Sequence, residues 1–410
     1  MLIEFRVKNF LSIQDEQVLS LVAGSQKEHK SNTFEPENEK FSLLKSVAIY
    51  GANAAGKSNF IKAFIRIKHF VTQSASWQRG DKLLIIPFFL GKNENEPTEF
   101  EVSFITQNIR YRYGFSVTRE RIVEEWLYAY PNGREQEWFL RSYDKKNKKE
   151  VYKFGKNFLG EKELWKNTTR DNALFLSTAI QLNSEQLKPV FDWFFYIGIS
   201  LTDWFSNSLE ISVEAFKNNP QQILDYLKRA DLDIEFLEIN ENKVEIDNSN
   251  KLLNKLGNTT DTTMLESDIK TIHLNQQGRP TVLNMILESD GTQKFFKFLG
   301  PILDTLQNGR VLVVDELHNH LHPAMTRFII SLFHNEKINT KNAQLIFTTH
   351  ETSVLNKDIF RKDQIYFCEK RNKATKIYSL SDFKGLRENI DYEKSYLLGR
   401  FGALPNLQEI

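Results

Sequence analysis

The chain has little that would staple it, carry it through a bilayer or draw it to a polyanion. One cysteine, Cys368, among 410 residues excludes a disulfide framework and a cysteine-rich zinc module, and suits a reducing compartment. No apolar run approaches the ~20 residues that a membrane-spanning helix needs. The most apolar stretch, Phe191–Leu201, carries Asp192. Basic and acidic side chains nearly cancel, 54 against 53, so no global attraction to nucleic acid exists, although a local patch stays open. The first residues alternate charge and bulk, and no signal peptide is expected. Internal repeats and low-complexity tracts are absent as well. What is present, 40% apolar and 12% aromatic residues, is enough for a real core, and ~150 residues per domain allows two to three lobes. The expectation is a cytoplasmic, soluble protein with no membrane partner.

Periodicity divides the chain. Ile3, Phe5 and Val7 alternate with Glu4, Arg6 and Lys8, the pattern of a half-buried strand. Residues 25–40 read as a loop, and Ser46–Tyr50 as a short buried strand. After a glycine-bearing turn, Phe60, Ile61, Phe64, Ile67 and Phe70 recur at helical spacing. Between about 85 and 180 the pattern is β, with Ile109–Val117 and Ile122–Tyr130 as a hairpin. Residues 144–166 hold eight lysines against four acids; they suit a solvated hairpin edge, with a nucleic-acid or partner contact as the alternative. From Ser184 to about Asp231 the spacing is helical, without the sustained heptads of a coiled-coil arm. Residues 236–282 carry short strands and a polar stretch around Asn258–Thr263. The expected domains are an N-terminal lobe of 1–183, a helical insertion of 184–235 and a C-terminal lobe of 236–410.

The chemistry concentrates in three places. Gly51, Ala52, Asn53, Ala54, Ala55, Gly56, Lys57 and Ser58 match G-x-x-x-x-G-K-[ST] without departure, between a buried strand and an amphipathic helix. Such a loop wraps a chain of phosphates with its backbone N–H groups and the helix N-terminus. Lys57, expected as an exposed loop side chain, would neutralise the β- and γ-phosphates, and Ser58 would place its hydroxyl on Mg²⁺. Val311–Val314 reads as a buried parallel strand ending in Asp315 and Glu316, where open α/β sheets hold ligands. Asp315 would hold Mg²⁺ through water, and Glu316 would orient and deprotonate an attacking water. Leu345–Thr349 is a further buried strand ending at His350. That histidine is either structural or a reader of the γ-phosphate; the other two elements favour the latter. His318, His320 and His322 invite a metal reading, but no cysteine or fourth carboxylate lies at a recognisable spacing, and a loop entering a helix is preferred.

The ordered set Lys8-Asn9-Phe10, GANAAGKSN at 51–59, VVDELHNHLHP at 313–323 and FTTH at 347–350 resembles the SMC-like branch of the ABC-type ATPases. Together with Tyr111–Phe115, the SDGTQ segment and the terminal Leu397–Pro405, it is similar to AAA/ABC-type ATPases of bacterial abortive-infection, or phage-defence, systems. These are often encoded beside an RloB-like or TOPRIM-type nuclease. The resemblance implies an α/β fold: a P-loop ABC-type ATPase head with an antiparallel β-lobe and an inserted helical lid. It implies a Mg²⁺-dependent ATP hydrolase, with Asn59 completing the ATP-binding loop and His350 as the switch histidine. Ser289 and Gly291 would be the signature that reaches the partner subunit's nucleotide, while Asp290 or Thr292, depending on the alignment, replaces the usual second glycine. The alternative for Ser289 or Asp290 is a simple helix cap. Asn319 to His322 would touch the partner subunit. Gln181 is the candidate for the glutamine that couples Mg²⁺ to the lobes, and no adenine-stacking aromatic is evident. Only about 60 residues follow His350, too few for a fused TOPRIM domain, so a separate nuclease-type effector is expected. The implied function is a homodimeric, or higher, ATP switch that gates this effector. A DNA-clamping repair ATPase and a low-turnover scaffold are the alternatives, and they use the same residues.

Overall fold

A computed structural model of the chain describes residues 1–91, 95–200, 208–245, 263–386 and 390–405. The polar stretch Asn258–Thr263 lies outside these residues except for Thr263. The chain divides into two compact units, one of Met1–Asp203, Thr305–Asn319 and Thr326–Ile410, the other of Trp204–Asp304 and His320–Met325.

The first unit opens with β1 (Leu2–Lys8), β2 (Gln17–Ser20), the short β3 (Thr33–Phe34) and β4 (Leu43–Leu44), β5 (Ser46–Tyr50) and α1 (Lys57–Gln73). Five antiparallel strands follow: β6 (Thr98–Thr106), β7 (Ile109–Val117), β8 (Ile122–Tyr130), β9 (Gln136–Asp144) and β10 (Lys149–Phe154). The hairpin expected at 109–130 is present with those boundaries. Next come α2 (Lys162–Thr168), α3 (Phe175–Gln181), α4 (Lys188–Tyr196) and β11 (Gly198–Ser200). The β expectation for 85–180 therefore runs about twenty residues too far. What makes 175–181 helical is remote: the buried Glu125 carboxylate, on β8, accepts the N–H groups of Phe175 at 2.6 Å and Leu176 at 3.0 Å, compensating a helix N-terminus.

The second unit holds α5 (Ser208–Asn218), α6 (Pro220–Arg229), β12 (Phe236–Glu245), β13 (Thr263–Leu274), β14 (Pro280–Asn284) and most of α7 (Asp290–Asn308). The segment 184–235, expected to be one helical insertion, is thus divided: α4 and β11 belong to the first unit, α5 and α6 to the second. The chain re-enters the first unit with β15 (Val311–Val314), α8 (Pro323–His334) from Thr326 onward, β16 (Gln344–Thr349), β17 (Ile365–Arg371), β18 (Ala374–Ser379) and α9 (Tyr392–Leu397).

Two sheets organise the first unit. A seven-stranded sheet runs β10-β9-β8-β7-β6-β1-β2 and is antiparallel throughout. The lysine-rich segment flanks its edge strand β10, whose Lys149 and Lys153 are exposed, a charged edge that resists pairing with another chain. A six-stranded sheet runs β11-β15-β16-β5-β17-β18 and is parallel up to its last hairpin. Its central strands β15, β16 and β5 are buried at every residue, which explains their unbroken apolar runs. The Gln344 amide joins the sheets, accepting Leu2 N–H at 2.6 Å and donating to the Leu2 and Leu44 carbonyls at 3.0 Å. Helix α1 buries the expected stripe, with Phe64 stacked on Phe5 at 3.8 Å. Among the described residues no helix is long and apolar enough to cross a membrane.

Within the second unit, β12, β13 and β14 form an antiparallel sheet. Helix α7 carries Pro301 in its interior, which removes the N–H that would bond the Lys297 carbonyl. The buried Ser212 hydroxyl repairs this break, donating to the Lys297 carbonyl at 3.0 Å while accepting Gly300 N–H at 3.0 Å. Ser212→Ala should therefore destabilise this unit by ~1–2 kcal/mol, lowering the urea midpoint. Adding Pro301→Ala should recover part of the loss, because the new N–H can take the orphaned carbonyl. Equal midpoints for wild type and Ser212→Ala would show that the hydroxyl does not repair the helix.

Candidate functional site

The phosphate-loop sequence forms the turn from β5 into α1. Ala54 and Gly56 sit at φ +61° and +111°, and this alternation of hand turns successive N–H groups to one side. Two close approaches fix the glycines. A Cβ at Gly56 would lie 2.0 Å from Thr375 Oγ1, and one at Gly51 would lie 2.2 Å from the Cys368 carbonyl oxygen. Gly56 gives α1 no side-chain cap and its first turn holds no acid, so the partial positive charge of the helix end is left for a ligand.

Polar contacts from distant segments brace this loop. Ser12 Oγ, just past the Lys8-Asn9-Phe10 motif, lies 2.7 Å from Thr375 Oγ1 and accepts from Asn59 Nδ2 at 2.8 Å. Thr375 Oγ1 donates to the Ala55 carbonyl at 2.9 Å. The Cys368 thiol faces the same carbonyl at 3.6 Å, and burial pushes its pKa up to about 12. It stays protonated and unreactive at neutral pH.

Lys57 is not the exposed loop side chain its position suggested. It is 6% exposed and donates to the Gly51 carbonyl at 2.7 Å and the Ala52 carbonyl at 3.0 Å. Desolvation lowers its pKa below the usual lysine range, while Glu316 and Asp315 pull it back upward. The acids of the second motif are thus within electrostatic reach of the loop lysine.

Strand pairing brings them there. In the parallel register Tyr50 lies opposite Thr349, and Val314 opposite Phe347, so the loop, Asp315 and His350 leave the same sheet edge on strands ~5 Å apart. Thr348 orders the acid pair. Its hydroxyl donates to Asp315 Oδ1 at 2.5 Å and accepts Glu316 N–H at 2.8 Å. Its carbonyl takes Leu317 N–H at 3.1 Å. Asp315 is buried, and Glu316, at φ +51°, is turned out half-buried. A left-handed glutamate costs ~1 kcal/mol and is held only by such contacts. Sequence reasoning gave no role to Thr348, Ser12 or Thr375, although Thr348 lies inside the FTTH motif and Ser12 just past Lys8-Asn9-Phe10.

The remaining candidates separate. His350 is exposed, and its Nε2 lies 3.0 Å from His318 Nε2, so one ring donates to the other. His320 Nδ1 approaches Asp290 at 3.6 Å, and His322 Nδ1 accepts Ala324 N–H at 3.2 Å. The three alternate histidines have three different partners, and among the described residues no group of three or more His, Cys, Asp or Glu could hold a metal. In the second unit, exposed Ser289 caps α7, its Oγ accepting Thr292 N–H at 3.1 Å, and Gly291 follows under the His320 carbonyl. Gln181 is not brought to the loop. It is exposed at the end of α3, whose Ser177 bonds the Val71 carbonyl at 2.6 Å, ~20 Å along α1 from Lys57.

The donor set fits a polyphosphate with a hard cation. Open N–H groups and Lys57 suit phosphate oxygens, while the Ser58 hydroxyl and Asp315 carboxylate are the oxygen ligands Mg²⁺ prefers. No match was found among curated proteins. A family model described as "AAA domain, putative AbiEii toxin, Type IV TA system" matches residues 46–356, well over half of the chain. The match supports a nucleotide-binding ATPase domain of P-loop α/β type. The loop, Asp315, Glu316 and His350 all fall inside the matched span, and the chain belongs to this AAA-domain family of abortive-infection type.

Proposed function

We propose that this protein is a Mg²⁺-dependent, ABC-type ATPase switch that closes as a homodimer around ATP and gates a separate, nuclease-type effector in antiphage defence. The observation that carries the reading is the convergence of the phosphate loop, Asp315-Glu316 and His350 on one edge of one parallel sheet.

In this reading the loop from Gly51 to Asn59 binds the phosphate chain, and Lys57 leaves the Gly51 and Ala52 carbonyls for the more strongly accepting phosphate oxygens. Ser58 and Asp315 would hold Mg²⁺, which when bound screens charge on the transferring phosphoryl group. Thr348 keeps the Asp315 oxygen oriented. Glu316, turned toward solvent, positions the attacking water and accepts its proton. His350 meets the γ-phosphate and reports its presence, with His318 fixing its ring. Ser289 and Gly291, at the exposed start of α7, would complete the site of a second copy. Closure then depends on an intact γ-phosphate, and hydrolysis reopens the pair.

Three substitutions test the assignment. Lys57→Ala should weaken ATP binding by ~50-fold or more, the worth of charged hydrogen bonds to phosphate, and calorimetry showing wild-type affinity would reject the site. Ser289→Arg should bind ATP normally yet lose turnover, because its effect falls on the other subunit; loss of ATP binding by a folded Ser289→Arg monomer would argue against action in trans. Glu316→Gln should retain ATP but hydrolyse it ~10²–10⁴-fold more slowly, and should accumulate a closed dimer in light scattering with ATP and Mg²⁺. Wild-type turnover, or a mass that ignores ATP, would defeat the switch.

A further inference from the structure

We infer that the C-terminal segment from Asp391 to Pro405 is a working part of the nucleotide site, a strap that ties the loop after His350 to the phosphate loop. The inference rests on the phosphate-loop reading above and adds positioning residues to it.

The strap begins at α9, where the Asp391 side chain caps the helix by accepting Lys394 N–H at 2.9 Å. Within the first turn, Glu393 Oε1 accepts the hydroxyl of Thr352, two residues past His350, at 2.8 Å. Tyr396 then packs edge-on against Tyr50, the last residue of β5 before the phosphate loop, with ring centroids 6.2 Å apart. The chain reverses through three left-handed residues, Gly399 at φ +74°, Gly402 at +68° and Ala403 at +58°. Between them Phe401 is buried and stacks on Phe367 at 5.4 Å, while its carbonyl accepts the Tyr378 hydroxyl at 2.7 Å.

This reversal delivers one backbone carbonyl to the loop. Ala403 N–H donates to Glu369 Oε2 at 3.0 Å, and the Ala403 carbonyl accepts both Ala52 N–H at 2.9 Å and the Tyr396 hydroxyl at 3.1 Å. Ala52 is therefore gripped from two sides, its N–H by the strap and its carbonyl by Lys57. When Lys57 turns to phosphate, the Ala52 carbonyl keeps only the loop's own Ala55 N–H at 3.2 Å, and the strap still holds the Ala52 N–H from outside the loop. At its other end the strap holds Thr352, so the segment that carries His350 and the loop that carries Lys57 share one mechanical link. Packing alone needs neither anchor. Phe401 already secures the segment, yet both polar contacts fall on the two loops that face the γ-phosphate in this reading.

The two anchors give separable effects in the full-length protein. A Cβ at Gly402 would lie 2.8 Å from both Glu369 Oε2 and the Tyr378 hydroxyl, at a left-handed φ. Gly402→Val should unseat the Ala403 carbonyl and raise the Kd and KM for ATP about tenfold, the worth of one or two hydrogen bonds, with kcat nearly unchanged. Tyr396→Phe removes one hydroxyl only and should raise KM in the same direction by a smaller factor; it decides the matter if Gly402→Val does not fold. Glu393→Ala should leave Kd near wild type and lower kcat several-fold by freeing the segment after His350, and Glu393→Gln, which keeps an acceptor oxygen, should restore it. Lys57→Ala serves as the reference. If it loses ATP while Gly402→Val and Tyr396→Phe keep wild-type Kd and KM, or while Glu393→Ala keeps wild-type kcat, the strap is overturned and the phosphate-loop reading stands. If Lys57→Ala itself binds ATP normally, the site reading fails instead.

Discussion

The site depends on the parallel register of β5, β16 and β15. With Tyr50 opposite Thr349 and Val314 opposite Phe347, three strands drawn from positions nearly 300 residues apart stop at one edge. A one-residue slip would be costly, because these strands are buried on both faces and each backbone group is committed to a neighbour. Thr348 makes the register chemical as well as geometric. Its hydroxyl touches Asp315 and its acceptor side takes Glu316 N–H, so the acid pair is aimed by the strand that also carries His350. Moving β16 would move both.

Burial of polar groups then attaches the antiparallel sheet to this core. Gln344 makes two bonds to Leu2 of the antiparallel sheet and a third to the Leu44 carbonyl on β4, all at the start of β16. Glu125 does comparable work on α3, assisted by Tyr113 hydroxyl at 3.0 Å and by Arg141, whose guanidinium lies 3.6 Å away. Burial raises the Glu125 pKa, and Arg141 and the bonded N–H groups oppose the rise. Arg141 also bonds the Ala173 and Arg170 carbonyls. Such groups add little net stability as a pair, but removing one member strands the other, so they fix one arrangement of the surrounding strands and helices.

Local pattern made much of this legible. The buried strand at 46–50, the stripe of α1, the 109–130 hairpin and the acid-bearing strand at 311–314 all follow from periodicity and turn residues, because the interactions that form them are within a few residues. The misreadings have a common physical origin. Residues 162–181 are helical in part through Glu125, fifty residues earlier, and 184–235 is divided because its two halves find different cores. Lys57 was expected in solvent because nothing local shows that β17 and Thr375 close over the loop. Gln181 had the right residue type and lies at the wrong end of α1. Thr348 lies within the FTTH run, but its role carried no signal, since a threonine beside another threonine in an apolar strand looks like a β-former and nothing else.

The buried Lys57 explains how a loop can hold its shape before a ligand reaches it. An ammonium taken out of water needs partners, and the Gly51 and Ala52 carbonyls supply them inside the loop's own turn. These are neutral acceptors. In the proposed function phosphate oxygens would accept more strongly, so an exchange from carbonyl to phosphate would run downhill with the lysine partnered throughout. Desolvation that depresses the Lys57 pKa also strengthens its field toward an incoming anion, since little water intervenes to screen it. An anion's own field would raise that pKa again, which favours the protonated amine when it is needed. The loop is thus prepared for a negatively charged chain by the same burial that would be a liability for a lysine with no such partners.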